Sequence, residues 1–153
     1  MPALIHLSRK KAAKNPNARW EGLNEFLSFA DLSSLSSAQR VAYLAYGYFS
    51  HIEMAGHHDY FSTTSQSDYP EVISALRAIG AIEQALVLTA ALDAVQAASI
   101  HAPEQYSNRF AAGAEFADLT EFDERFKACT RLVPNCLMDY LEKHESEFIE
   151  WRP

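Results

Sequence analysis

The chain has 153 residues, of which 48% are hydrophobic, and its 20 acidic against 13 basic side chains give a formal net charge of −7. A chain of this length and composition can bury an apolar core, so we expect a folded protein and not an intrinsically disordered one. Direct binding to nucleic acid or to an anionic membrane is excluded because phosphates would repel the negative charge.

The N-terminal segment differs from the rest of the chain in charge and in pattern. The charged residues among positions 1–18 are basic, and the apolar residues there show no sustained helical or strand period. We therefore predict a basic N-terminal arm over residues 1–18 and a single all-α domain over residues 19–153. No apolar run approaches the ~20 residues that cross a bilayer, and the basic residues follow the short apolar start, so we expect a cytoplasmic protein without a signal peptide.

Apolar residues at three- and four-residue spacing predict a compact bundle of about six helices. The first begins at Trp20. The second has the clearest apolar stripe, from Val41 to Ile52, and we expect this stripe to lie in the core. Gly56 should end the second helix in a short irregular break.

The later helices are marked by their first and last residues. Tyr69-Pro70 should begin one helix and Gly80 should end it, because proline suits the first helical turn and glycine the position after the last. Thr120 and Asp123 resemble a capping box at the start of a helix that runs to Leu132. A last helix should run on from Pro134. No segment shows the two-residue alternation of a β-strand.

The break after the second helix has a recognisable sequence. Residues 54–61, Met-Ala-Gly-His-His-Asp-Tyr-Phe, resemble the N-G-G-x-x-Q-Y-F signature of a bacterial family of small helical domains that is named for a DNA-mimic protein. Residues 119–126 and 140–148 resemble two further elements of that family, so the resemblance covers roughly residues 20–150. It implies an all-α fold and a DNA-mimic role. The motif turn consists of Gly56, His57, His58, Asp59, Tyr60 and Phe61.

The chain departs from the family signature at three positions. Met54 and Ala55 replace its Asn-Gly, and Asp59 replaces its glutamine. If the family's asparagine and glutamine serve a site, this chain lacks it. If they only shape a tight turn, Gly56 suffices.

Acidic side chains in the last third of the chain are the candidate partner-binding site. Carboxylates one helical turn apart lie about 5–6 Å from each other, which approaches the spacing of phosphates along a nucleic-acid strand. We expect Asp139, Glu142 and Glu150 to share one face of the last helix. The predicted acidic face consists of Glu121, Asp123, Glu124, Asp139, Glu142 and Glu150.

Two alternatives remain open at this point. Histidine and carboxylate side chains near the break could bind a metal ion or a small ligand, although their spacing matches neither HExxH nor a facial triad. This cluster consists of His51, His57, His58 and Asp59. Alternatively, the protein is a structural subunit, and the basic arm of one copy docks on the acidic C-terminal region of another to form a homodimer.

The sequence offers no catalytic residues and no cofactor site. It lacks a G-x-S-x-G motif and a phosphate-binding glycine loop, and neither Cys129 nor Cys136 has a histidine at a familiar spacing. We read both cysteines as small buried thiols. The function predicted from the sequence is therefore non-enzymatic binding of a basic protein, as a DNA mimic or inhibitor of a transcription factor, nuclease or toxin.

Overall fold

The computed structural model describes residues 2–64 and 66–153, with position 67 described by its backbone only. Met1, in the predicted arm, and Ser65, in the predicted domain, lie outside the described residues. The α-helices and β-strands found within these ranges are β1 (Ile5–Ser8), α1 (Arg9–Lys14), α2 (Ala18–Phe29), α3 (Ser37–Thr63), α4 (Tyr69–Ala78), α5 (Ile82–His101), α6 (Arg109–Phe116), α7 (Thr120–Lys127), α8 (Val133–Lys143), α9 (Glu145–Phe148) and β2 (Ile149–Arg152). The all-α prediction is confirmed. The helices outnumber the six expected because the structure also contains three short helices, α1, α6 and α9, which are four to eight residues long.

The long helix α3 is the centre of the bundle and packs against α4, α6, α7 and α8. Its predicted apolar stripe lies in the core, where Tyr48 and Ile52 are buried and Val41 packs against the buried cluster. Burial of each large apolar side chain contributes about 1.5–3 kcal/mol relative to exposure. The interior around Tyr48 is mainly aromatic, and its ring contacts those of Tyr60 and Phe126 edge to face.

The helix ends follow from local sequence in most places. Ser36 and Gln39 form a capping box at the start of α3, and Gly80 follows α4 with a φ of 87°, a value that glycine adopts without strain. Two predicted helices are shorter than expected. Helix α7 ends at Lys127 instead of Leu132, and the last helix is interrupted at His144, whose φ of −118° is not helical.

A parallel pair of short strands joins two distant parts of the chain, contrary to the expectation of no strand. β1 pairs with β2 in a register that places Ile5 opposite Ile149. The buried Gln39 side chain secures both segments, since its Nε2 donates to the carbonyl oxygens of Ala3 at 2.8 Å and Glu147 at 2.7 Å. Four residues are too few for a two-residue alternation to stand out in a sequence.

The predicted arm docks on its own chain. The Arg9 guanidinium lies 5.1 Å from the ring centroid of Trp151, and His6 Nδ1 lies 2.6 Å from Glu150 Oε2. Arg19, which directly follows the arm, lies 5.2 Å from the same ring centroid, and its Nη2 lies 3.0 Å from Glu145 Oε2. The contact between basic arm and acidic C-terminal region, which the sequence suggested between two copies, is therefore made within one.

Cys129 and Cys136 are buried and are not joined in a disulfide. Burial raises the pKa of both thiols, which keeps them protonated and unreactive near neutral pH. The reading of both as small buried thiols is confirmed. Across the described residues, we find no helix that combines the length and apolarity needed to cross a membrane.

Candidate functional site

The motif turn is a kink within α3. Gly56 has a φ of 79° and a ψ of 178°, so the backbone leaves the helical region at this residue and returns to it immediately. A side chain here would be strained by the positive φ, and its Cβ would also come within 2.9 Å of Asp123 Oδ2. Glycine is therefore required twice at this position, by the backbone angle and by the close approach of α7.

The kink is held by one carboxylate of α7. Asp123 Oδ1 accepts a hydrogen bond from the backbone N–H of His57 at 2.9 Å and a second from its Nδ1 at 2.6 Å. On the other side of the ring, His57 Nε2 lies 2.7 Å from the Tyr48 hydroxyl. We call these three residues, Tyr48, His57 and Asp123, the kink clamp.

The protonation state of the kink clamp follows from its burial. The His57 side chain is 0% exposed, and burial lowers its pKa from the ordinary 6.5 even though Asp123 acts in the opposite direction. A neutral imidazole has one N–H, and a carboxylate only accepts, so Nδ1 carries the proton and Nε2 accepts from the Tyr48 hydroxyl. Burial also raises the pKa of Tyr48, which keeps this hydroxyl protonated.

The other motif residues face different environments. Tyr60 and Phe61 are buried, and Phe61 packs edge to face on Tyr69. Asp59 is exposed, and its Oδ2 lies 2.6 Å from His51 Nε2, while His58 is exposed as well. The motif is thus mainly a packing device: its buried members anchor the second half of α3 in the core.

The histidine cluster considered as a metal or ligand site is not brought together. His51 pairs with Asp59 at the surface, whereas His57 points into the core and has both ring nitrogens occupied. Over residues 2–64 and 66–153, no three His, Cys, Asp or Glu side chains are arranged to hold a metal ion.

The residues of the predicted acidic face lie on three elements. Glu121, Asp123 and Glu124 are on α7, and Asp139 and Glu142 are on α8. The prediction that Glu150 shares a helix face with Asp139 and Glu142 is wrong, because the helix is interrupted at His144 and Glu150 lies on β2. The capping-box prediction for Asp123 is also wrong: Leu119 is the residue before α7, and the Asp123 carboxylate is used by His57.

Most of these carboxylates already have a cationic neighbour in the same chain. Arg131 pairs with Asp139, Arg125 with Glu121 at 3.9 Å, and Lys127 with Glu124 at 3.8 Å. Glu150 Oε2 lies 3.8 Å from Arg152 Nη2 and also 2.6 Å from His6 Nδ1. Within the described residues, Glu142 is the one member of the predicted face that has neither an ion pair nor a side-chain hydrogen bond.

Sequence reasoning missed the partners of His57. Tyr48 is nine residues away and Asp123 is 66 residues away. The one available signal was the isolated glycine in a strong helical pattern, which indicated where a helix needs support from elsewhere.

Comparison with known protein families identifies a match over most of the chain. The family model described as DMP19-like protein matches residues 33–144, which include the kink clamp and the predicted acidic residues of α7 and α8. No curated protein and no solved structure was found to match the chain. The resemblance on which the sequence analysis relied is thereby confirmed.

Proposed function

Because the chain belongs to the DMP19-like protein family, we propose that it is a non-catalytic binding protein whose acidic surface occupies the DNA-binding surface of a basic protein. The match to the family model over residues 33–144 is the observation that carries this proposal. The family takes its name from a DNA-mimic protein, and the net charge of −7 suits a basic partner. The proposed partner is a transcription factor, a nuclease or a toxin that has such a surface.

The acidic side chains of α7 and α8 are the proposed contact surface. Glu121, Glu124, Asp139 and Glu142 are exposed there. Asp123 is held by His57, and its side chain is only 30% exposed, so it contributes charge from a fixed position.

The ion pairs within this surface do not prevent partner binding. Each joins exposed side chains, and exposed pairs typically contribute only about 0–1 kcal/mol because water and salt screen them. A partner that presents several lysines and arginines at once can replace these cations. Its complex should form quickly at low salt and weaken as salt rises.

Charge reversal tests the proposed surface. Tagged wild-type protein and the double variant Asp139→Lys, Glu142→Lys would be used to capture partners from lysate of the native host, with elution by salt or by duplex DNA. The matched control is Glu104→Lys, Glu115→Lys, which changes the net charge equally at two exposed acidic residues elsewhere.

We expect a basic DNA-binding protein that both salt and duplex DNA release. The α8 variant should bind this protein up to about thirtyfold more weakly, since each of the two reversed contacts costs up to about 1 kcal/mol, while the control keeps most of its affinity. Equal binding by the two variants would refute the assignment of the surface. A partner that duplex DNA does not displace would refute mimicry.

A further inference from the structure

A cleft opens where the first half of α3 ends against α7. It has a volume of about 290 Å³ and is lined by Ile52, Glu53, Met54, Gly56, Asp123 and Phe126, with Lys127 at its rim. Pockets for small molecules usually measure about 300–1,000 Å³. We call this space the kink cleft; its size suits one long side chain better than a cofactor.

The kink makes the polar end of this cleft electronegative. In a continuous helix the N–H of His57 would bond the carbonyl of Glu53, but here it is donated to Asp123 Oδ1. The carbonyl of Glu53 therefore lacks this intrahelical donor and adds an acceptor at the end of the first half of α3, while Asp123 satisfies the N–H at the start of the second half. The exposed Glu53 carboxylate adds a full negative charge.

Asp123 contributes a second, fixed carboxylate. Its Oδ1 is occupied twice by the buried His57, whereas Oδ2 lies against the open side of Gly56 and accepts no hydrogen bond from any described residue. An oxygen held in position in this way loses little entropy when it binds a donor.

The remaining walls are apolar. Ile52 and Phe126 are buried and form the floor, and the Met54 side chain is 86% exposed at the rim. Lysine and arginine combine a hydrocarbon stem with a cationic head, so apolar walls that lead to two carboxylates suit their side chains.

We propose that the kink cleft binds the side chain of one lysine or arginine of the partner protein. The cation pairs with Glu53 and Asp123 Oδ2, and the stem lies along Ile52, Phe126 and Met54. The natural origin of this ligand rests on the function proposed above, but the affinity of the cleft for such a side chain does not.

Lys127 gives the proposal a second, opposite prediction. It lines the cleft and its Nζ is 3.8 Å from Glu124 Oε1, so its positive charge competes with an incoming cation. Removal of this charge should strengthen binding, whereas removal of Glu53 should weaken it.

The test uses isolated amino-acid side chains as probes. The cationic probes are lysine amide and arginine amide acetylated at the α-amino group, and the control ligand is the corresponding uncharged norleucine derivative. Each is titrated into the ¹⁵N-labelled full chain, and backbone amide chemical shifts are recorded. The variants are Glu53→Gln, Lys127→Ala and the matched control Glu104→Gln. Asp123 is left unchanged because its replacement would release the kink.

We expect saturable shifts around residues 52–57 and 123–127 with both cationic probes and none with the norleucine derivative. Affinity should fall about two- to fivefold in Glu53→Gln and rise by a similar factor in Lys127→Ala, as for one exposed ion pair, and stay unchanged in Glu104→Gln. Linear shifts spread over all acidic residues, or equal affinity in all variants, would overturn the proposal.

The outcomes separate this proposal from the proposed function. If a partner binds through α8 but neither cationic probe binds in the kink cleft, the cleft proposal is refuted and the proposed function stands. Saturable probe binding without any DNA-displaceable partner would support the cleft and count against mimicry.

Discussion

Replacement of Asp123 with alanine should destabilise the fold far more than the loss of a surface carboxylate normally does. The variant removes the acceptor of two hydrogen bonds from His57, one at 2.9 Å from its backbone N–H and one at 2.6 Å from its ring. A hydrogen bond to a charged group contributes about 1.5–3 kcal/mol, and a buried donor left unsatisfied costs about 1–3 kcal/mol. Because the kink cleft admits water, which can replace part of this, we expect a total loss of about 2–4 kcal/mol.

The assay is reversible urea and thermal unfolding followed by circular dichroism. For a chain of this length the expected loss lowers Tm by roughly 6–12 °C. Asp123→Asn keeps an acceptor oxygen and should lose less, about 1 kcal/mol. The matched control is Glu124→Ala, which removes the next carboxylate along α7. Glu124 is exposed and its one ion pair with a described residue spans 3.8 Å, so we expect a change below about 0.5 kcal/mol.

Equal unfolding free energies for Asp123→Ala and Glu124→Ala would refute the reasoning, because the kink would then be stable without its carboxylate. A large loss that is the same in Asp123→Asn would show that the charge, and not the acceptor geometry, holds His57.

Three further predictions concern other parts of the structure. The pKa of His57 is lowered from 6.5 in the folded chain, so near pH 6 the unfolded chain takes up a proton that the folded chain does not. The free energy of unfolding should therefore fall as pH decreases below about 6.5, and it should fall less steeply in His57→Gln. Urea unfolding between pH 7.5 and 5 measures both. Gln39→Leu should leave two carbonyl oxygens unpaired, and hydrogen exchange should then accelerate in β1 and β2 before the rest of the chain. Gly113→Ala should destabilise the protein by about 1–3 kcal/mol because the new Cβ would lie 2.3 Å from the Val95 carbonyl oxygen. Gly47→Ala, whose Cβ would meet nothing within 4 Å, should stabilise it by about 0.5–1 kcal/mol. Thermal unfolding measures both, and equal shifts in Tm would show that packing at α6 is unimportant.

The helices were predictable because their signals are local. The stripe from Val41 to Ile52, the proline after Tyr69 and the glycine at position 80 each act within one or two turns, and the structure follows them. The kink at Gly56 was also indicated, although as a helix end and not as a bend with immediate continuation. A local pattern shows that a helix is interrupted but not what supports the interruption.

The role of Asp123 could not be predicted for a physical reason. Asp123 lies three residues after Thr120, which is the position expected in a capping box. The neighbouring sequence does not indicate any other hydrogen-bond partner for its carboxylate. His57 becomes available to Asp123 only when α3 and α7 pack together. Without the carboxylate, its backbone and ring N–H groups would be unpaired, which costs more than a missing cap at an exposed helix start. The ion pairs of Asp139 and Glu150 likewise depend on which segments meet.

The pairing of β1 with β2 imposes an order on events during synthesis. Ile5 and Ile149 are separated by almost the whole described chain, so the ribosome must release residues 149–152 before β1 can acquire its partner. Until then β1 can pack against α1 and α2. Gly22 of α2 leaves room for it, because a Cβ at position 22 would lie 2.8 Å from the Ile5 side chain. The nascent protein should therefore keep an open strand edge until residues 149–152 have left the ribosome, and crowding of many such chains is the condition under which strand exchange between copies would begin.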